Sequence, residues 1–176
     1  SPINFYGNAE NPIKIYSSDS SFKGISIYNT DKTSKINYTQ LINGNGKSLL
    51  TFNNADFILN NCVFNSTTSQ NLITLNESKF SIFNSLLKNS KTNGIYSTFS
   101  EGIIENCSFK NFKTNGIQLG CSKVTINNLE IKEGGNAMVV TDKDSIVPTI
   151  INLRKSSFEN IKNPYLFSEN TIFNNI

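Results

Sequence analysis

Apolar residues along this chain recur at two spacings. Over short stretches they alternate with polar ones, as in Ile25-Ser26-Ile27 and Ile117-Gln118-Leu119, and each run lasts only a few residues before Asn, Gly or Ser interrupts it. Alternation with period two predicts short strands with one face buried. No stretch carries apolar residues at 3.6-residue spacing for long enough to predict a helix of ordinary length.

The second spacing is longer. Aligning Asn93-Gly94-Ile95-Tyr96 on Asn115-Gly116-Ile117-Gln118 exposes a repeat of 22 residues. Extended both ways, one apolar column runs Ile25, Leu49, Leu72, Ile95, Ile117, Ala137, Tyr165, and a second runs Phe64, Leu87, Phe109, Ile131, Phe158. Two residues before each member of the second column lies Cys62, Ser85, Cys107, Leu129 or Ser156. Three short strands per repeat, in about seven repeats of 20–28 residues, predict an all-β parallel β-helix, each repeat one coil stacked on the last. The whole of 1–176 reads as one such domain. Neither end offers the polar cap a solenoid needs, so the expectation is a piece of a longer solenoid or multidomain protein.

Composition fits this picture. The chain holds 29 Asn and 22 Ser among 176 residues. Asn tolerates the left-handed turn conformation, and a stacked amide can bond its copies above and below. Asn61, Asn84, Asn106 and Asn128 stand in one column and are the predicted ladder. The net charge is +3 with a single Arg, which excludes the dense basic surface and guanidinium readout expected of a nucleic-acid binder. No apolar run is long enough for membrane insertion. The absence of His excludes Ser-His-Asp and Cys-His catalysis. Cys62 and Cys107 lie two coils apart, beyond disulfide reach, and read as buried fillers.

The columns of the form Ile-x-x-Cys-x-Phe followed by Asn-Gly-Ile-x-Leu, with Asn61, Asn84, Asn106 and Asn128 before them, resemble the right-handed parallel β-helix repeats of the pectate lyase-like superfamily. The opening segments Phe5-Tyr6-Gly7, Lys23-Gly24-Ile25 and Ser34-Lys35-Ile36-Asn37-Tyr38 are similar to the first coils of such regions in large bacterial surface proteins. The resemblance implies a right-handed parallel β-helix with an asparagine ladder at a tight turn. It implies little about activity, because lyases, hydrolases, epimerases, adhesins and phage tail proteins share the fold.

Catalytic patterns are incomplete. Asn29-Thr30-Asp31 matches the first acidic motif of the polygalacturonases, but this chain lacks their Asp-Asp pair, Gly-His-Gly and Arg-Ile-Lys. Arg154 has no row of acids in the neighbouring coils. No catalytic residue and no cofactor is assigned. Asp142 and Asp144 are the only metal candidates, and they lack the glycine turn and terminal Glu of an EF-hand loop. For binding, Lys88, Lys110 and Lys132 recur at 22-residue steps and would form a stripe suited to an anionic glycan. If the first apolar column points inward, Ser26, Leu50, Ile73, Tyr96, Gln118, Met138 and Leu166 point outward. Leu50, Ile73 and Tyr96 then become the expected docking surface.

The expectation is a rigid structural or binding module of a bacterial or phage protein, extracellular or at the cell surface. Its expected partner is a flanking domain or a polysaccharide, and its oligomeric state is open. The alternative is a carbohydrate-active enzyme domain, a polysaccharide lyase before a glycoside hydrolase.

Overall fold

A strand of three to six residues cannot bury an apolar face alone, so it must find copies of itself. The computed structural model describes residues 1–19, 22–142 and 146–176. Among them no helix occurs, and fifteen strands join into one sheet in which every pairing is parallel. Partners are about one repeat apart: Ile95 pairs with Ile73 below and Ile117 above. The chain is a parallel β-solenoid of about seven coils, as the repeat predicts.

Each coil has three faces. The first face stacks 25–28, 48–53, 71–76, 93–98, 115–120, 136–140 and 163–166. The second stacks 4–6, 34–37, 57–60, 79–83, 101–105, 123–127, 149–154 and 171–175. The third stacks 13–16, 39–42, 63–65, 86–90, 108–112, 130–134 and 157–161. Inward side chains form the core: Phe52, Leu75 and Leu119 from the first face, Leu59, Ile82 and Ile104 from the second, and Phe64, Leu87 and Phe109 from the third, all buried. Burying each such side chain contributes about 1.5–3 kcal/mol.

The faces meet at corners, and the corners explain the asparagines. Among the described residues sixteen non-glycines have positive φ, between 45° and 62°, and ten of them are Asn. They fall into three columns, one per corner. The first is Asn29, Asn54, Glu77, Phe99 and Cys121; the second is Tyr38, Asn61, Asn84, Asn106, Asn128 and Lys155; the third is Asn43, Asn89, Asn111, Glu133 and Asn160. A left-handed residue costs roughly 1–2 kcal/mol for most side chains and least for Asn and Gly.

Immediately inside two of these corners a small polar residue ties coil to coil. Ser78 Nα donates to Ser100 Oγ (3.1 Å), Ser100 Nα to Ser122 Oγ (3.3 Å) and Ser122 Nα to Thr149 Oγ1 (3.2 Å). The three serine hydroxyls in turn donate to the carbonyl two residues back, at 2.8 Å each. Cys62, Ser85 and Cys107 repeat the device at the second corner: Cys62 Nα donates to Ser85 Oγ (3.1 Å), and each thiol reaches the carbonyl two residues back.

The predicted ladder needs correction in part. Asn61, Asn84, Asn106 and Asn128 do share the second corner and the left-handed conformation. Asn128 Nδ2 donates to Asn106 Oδ1 at 2.8 Å, but Asn84 Nδ2 donates to Asn60 Oδ1. The unbroken amide ladder lies elsewhere, where the first face begins. Asn93 donates to Asn71, Asn115 to Asn93, Asn136 to Asn115 and Asn163 to Asn136, at 2.8–2.9 Å. Asn93 and Asn115 are buried, whereas Asn106 and Asn128 are exposed. The reason is geometric: amides turned toward the interior have no water to bond, so they must bond one another.

The phase of the first face also differs from expectation. The pairing column is Ile25, Leu50, Ile73, Ile95, Ile117, Met138 and Tyr165. Leu50 and Ile73 therefore point inward and are fully buried, and their outward orientation is overturned. Leu49, Leu72 and Ala137 are buried as well, one step earlier, where the chain rounds the corner. At that step the strict in-out alternation fails because two successive residues both face the interior. The same corner position holds Gly94 and Gly116 in the two coils where Phe109 and Phe112 fill the space. A Cβ on Gly94 would lie 2.6 Å from the Gly116 carbonyl oxygen and 3.3 Å from the Phe109 ring.

Two stability measurements test this account. Asn115→Leu, which breaks the buried ladder, should lose about 1–3 kcal/mol in urea unfolding, and clearly more than Asn106→Leu at the exposed corner. Phe99→Asn should gain about 1 kcal/mol, because an exposed Phe occupies a left-handed position that Asn adopts more easily.

Candidate functional site

With the register settled, the outward row of the first face reads Ser26, Thr51, Thr74, Tyr96, Gln118, Val139 and Leu166. The next outward row begins with Tyr28 and continues Asn53, Asn76 and Thr98. Small hydroxyl side chains in coils one to three thus leave a trough between two tyrosines. Tyr28 and Tyr96 stand three coil steps apart, about 14 Å at the strand spacing. Tyr28 is 56% exposed, and Tyr96 is half-buried at the far end.

The trough has a volume of about 460 Å³, within the usual range of small-molecule sites. Lys23, Lys47, Gln70 and Thr92 form one lip, and Ser48, Asn71 and Asn93 lie beneath it. Part of this floor is pre-ordered. Thr74 Oγ1 accepts from Asn71 Nδ2 at 3.0 Å and shares a hydrogen bond of 2.6 Å with Ser48 Oγ. Lys23 Nζ donates to Asn45 Oδ1 at 2.9 Å. No carboxylate lines the trough among the described residues. Aromatic rings, hydroxyls, amides and two cations along a straight rigid floor make a surface for stacking and hydrogen bonding with an extended polar polymer.

The other predicted residues fall elsewhere. Lys88, Lys110 and Lys132 do pair in register on the third face, the stripe expected of their spacing. Acids have entered it. Lys132 lies 2.8 Å from Glu130 and 3.1 Å from Glu159, and Lys110 lies 3.4 Å from Glu133. The hydrogen bond between Lys132 and Glu130 holds the glutamate below its ordinary range and the lysine above its own. Lys88 makes no ion pair among the described residues.

Asp142 is buried and already engaged. Its carboxylate accepts from Cys121 Nα at 2.6 Å and from Thr149 Oγ1. In the coils below, the equivalent corner N–H donates to a carbonyl of the next coil, as Phe99 Nα does to Gly120 O. Asp142 takes over that role where extra residues displace the chain. Asp144 lies outside the described residues. Among those described, no group of three His, Cys, Asp or Glu side chains is placed to hold a metal ion. Arg154 is exposed, at the end of its strand on the second face.

Another depression, of about 400 Å³, lies on the second face beside Asp56, Lys79, Glu101 and Lys123. Its charges alternate and its acids are engaged: Lys123 lies 2.9 Å from Glu101, and Asp56 accepts from the backbone N–H of Lys79 at 2.8 Å. Sequence reasoning missed Tyr28, Lys23, Lys47 and the hydroxyl floor. The signal was present in the column Ser48, Asn71, Asn93, Asn115, Asn136, which would have set the phase of the first face.

No family model and no curated protein matches the chain. Among solved structures it is similar to trypsin-treated QnrB1, a plasmid-mediated fluoroquinolone resistance protein. The identity is 10% over 87% of this chain and 92% of that one, with a TM-score of 0.28. A likeness at that score carries no argument, and the coil architecture rests on the strand pairings.

The cysteines form no disulfide. Burial pushes the Cys62 thiol up and the Cys107 thiol to about 11. Cys121 is only half-buried at its corner. A thiol-specific chromogenic reagent at pH 8 should therefore label the native chain rapidly at Cys121, and label Cys62 and Cys107 only after denaturation. The check is stoichiometry with and without denaturant, with Cys121→Ser abolishing the fast phase.

Proposed function

We propose that the chain is a rigid binding module for an extended polysaccharide, working at a cell or phage surface as part of a larger assembly, with the trough of the first face as its binding site. The observation that carries the reading is the trough itself: Tyr28 and Tyr96 bracket Ser26, Thr51 and Thr74, with Lys23 and Lys47 on the lip. Sugar rings offer apolar faces for tyrosine and hydroxyls for amides and threonines, so a linear glycan laid along the solenoid axis meets both chemistries. The floor is a parallel sheet anchored by the buried amide ladder, so little ordering accompanies binding. Lyase or hydrolase chemistry requires acids or a metal beside the scissile bond, and the lining of the trough supports binding in preference to cleavage.

Affinity electrophoresis in gels containing neutral or acidic polysaccharides tests the reading. At least one polymer should retard the chain, and Tyr96→Ala should weaken that retardation about tenfold while unfolding at the same urea concentration. Equal retardation of the variant, or no retardation by any polymer, would overturn the proposal.

A further inference from the structure

A second site stands on the third corner, where the third face turns toward the first. The left-handed residues Asn89 and Asn111 sit there one coil apart. Each is flanked by lysines: Lys88 and Lys91 in one coil, Lys110 and Lys113 in the next. The pairing of Ser90 with Phe112 and of Lys88 with Lys110 puts the two sets in register. At the strand spacing, like lysines are about 5 Å apart.

These charges are left largely unneutralised. Lys110 has Glu133 at 3.4 Å, while Lys88, Lys91 and Lys113 have no ion pair among the described residues. Four lysines against one glutamate concentrate here as much net positive charge as the whole chain carries, +3. The coil below contributes no charge, only Ser66, Thr67 and Thr68. The coil above places Glu133 in the corner position, which ends the positive patch.

Beside the lysines is a depression of about 550 Å³ lined by Thr67, Thr68, Asn89, Lys91, Asn111 and Lys113, with Ser90 beneath. The amides over this corner are held in place, Asn111 donating to Asn89 (2.7 Å) and Asn89 to Asn65 (2.8 Å). Like charges one coil step apart repel one another, and a bound polyanion relieves that repulsion.

We propose that this corner binds an anionic polysaccharide, with Lys91 and Lys113 contacting its charged groups and Lys88 extending the contact onto the third face. The depression contains neither an aromatic ring on which a base could stack nor an arginine for base readout, which favours a glycan polyanion over a nucleic acid. The site is separate from the trough of the first face and does not depend on it.

The test uses the whole chain and three probes at low ionic strength: dextran sulfate, unsulfated dextran and a single-stranded DNA oligonucleotide. Dextran sulfate should bind and weaken steeply with added salt, and unsulfated dextran should not engage this corner. Lys91→Gln with Lys113→Gln should weaken dextran sulfate binding about tenfold. Both lysines are exposed, so circular dichroism should show the fold unchanged. Tyr96→Ala, which alters the trough, should weaken dextran sulfate binding less than the lysine double variant does. The proposal is overturned if the double variant binds dextran sulfate as well as the parent chain, or if Lys23→Gln with Lys47→Gln costs as much. Tighter binding of DNA than of dextran sulfate, lost in the same double variant, would also overturn it.

Discussion

Everything in this solenoid depends on each corner being satisfied by the copy of itself one coil away. A chain that turns three times per repeat interrupts its sheets three times, and every interruption threatens to bury an unpaired N–H or carbonyl. The chain meets that threat with side chains rather than with longer loops. Serine hydroxyls accept the N–H of the coil below while donating to their own backbone. Amides on the interior side of the first face bond to their copies one coil away. Leaving one of these groups unpaired costs about 1–3 kcal/mol, a large share of a marginal stability. The period of the repeat is therefore held within narrow limits through most coils, and where it lengthens before Thr149, a buried carboxylate from Asp142 restores the lost acceptor.

Register held this firmly has consequences for the surface. Whatever side chain occupies an outward position is repeated at the strand spacing, so small differences between coils become features along the axis. Three successive hydroxyls followed by Tyr96 make a trough; lysines in two successive coils make a charged corner; acids in the coil above end it. None of these surfaces requires a loop or a moving part. They are consequences of which residue happens to fill a column whose backbone position is already decided.

The charges illustrate the same point. Lys79, Glu101 and Lys123 alternate along the second face and Lys132 is shared between Glu130 and Glu159, so those rows are locally balanced. Exposed pairs of this kind add little stability, but they leave the positive potential concentrated where no acid intervenes. In the trough of the first face and the depression beside Asn89 and Asn111, polar groups face solvent with no carboxylate in the lining.

The class of fold, the length of the repeat and most of the columns were legible from residues alone, because period-two alternation and recurring Asn depend only on local chemistry. The Phe64 to Phe158 column and the lysine stripe appear as expected for the same reason. The phase of the first face was not legible from hydrophobicity. Leu49-Leu50 and Leu72-Ile73 satisfy either alternation, and both members of each pair are in fact buried. The polar column from Ser48 to Asn136 marks the phase, and the folded corner, where two consecutive residues face inward beside a buried amide, shows why hydrophobicity could not. That decision moved Leu50 and Ile73 into the core, left Tyr96 on the surface and put Tyr28, Thr51 and Thr74 on the same outward side of the face. Which asparagines would bond one another was likewise a tertiary matter: all of them can turn the chain, but only those shut away from water must pair with their copies.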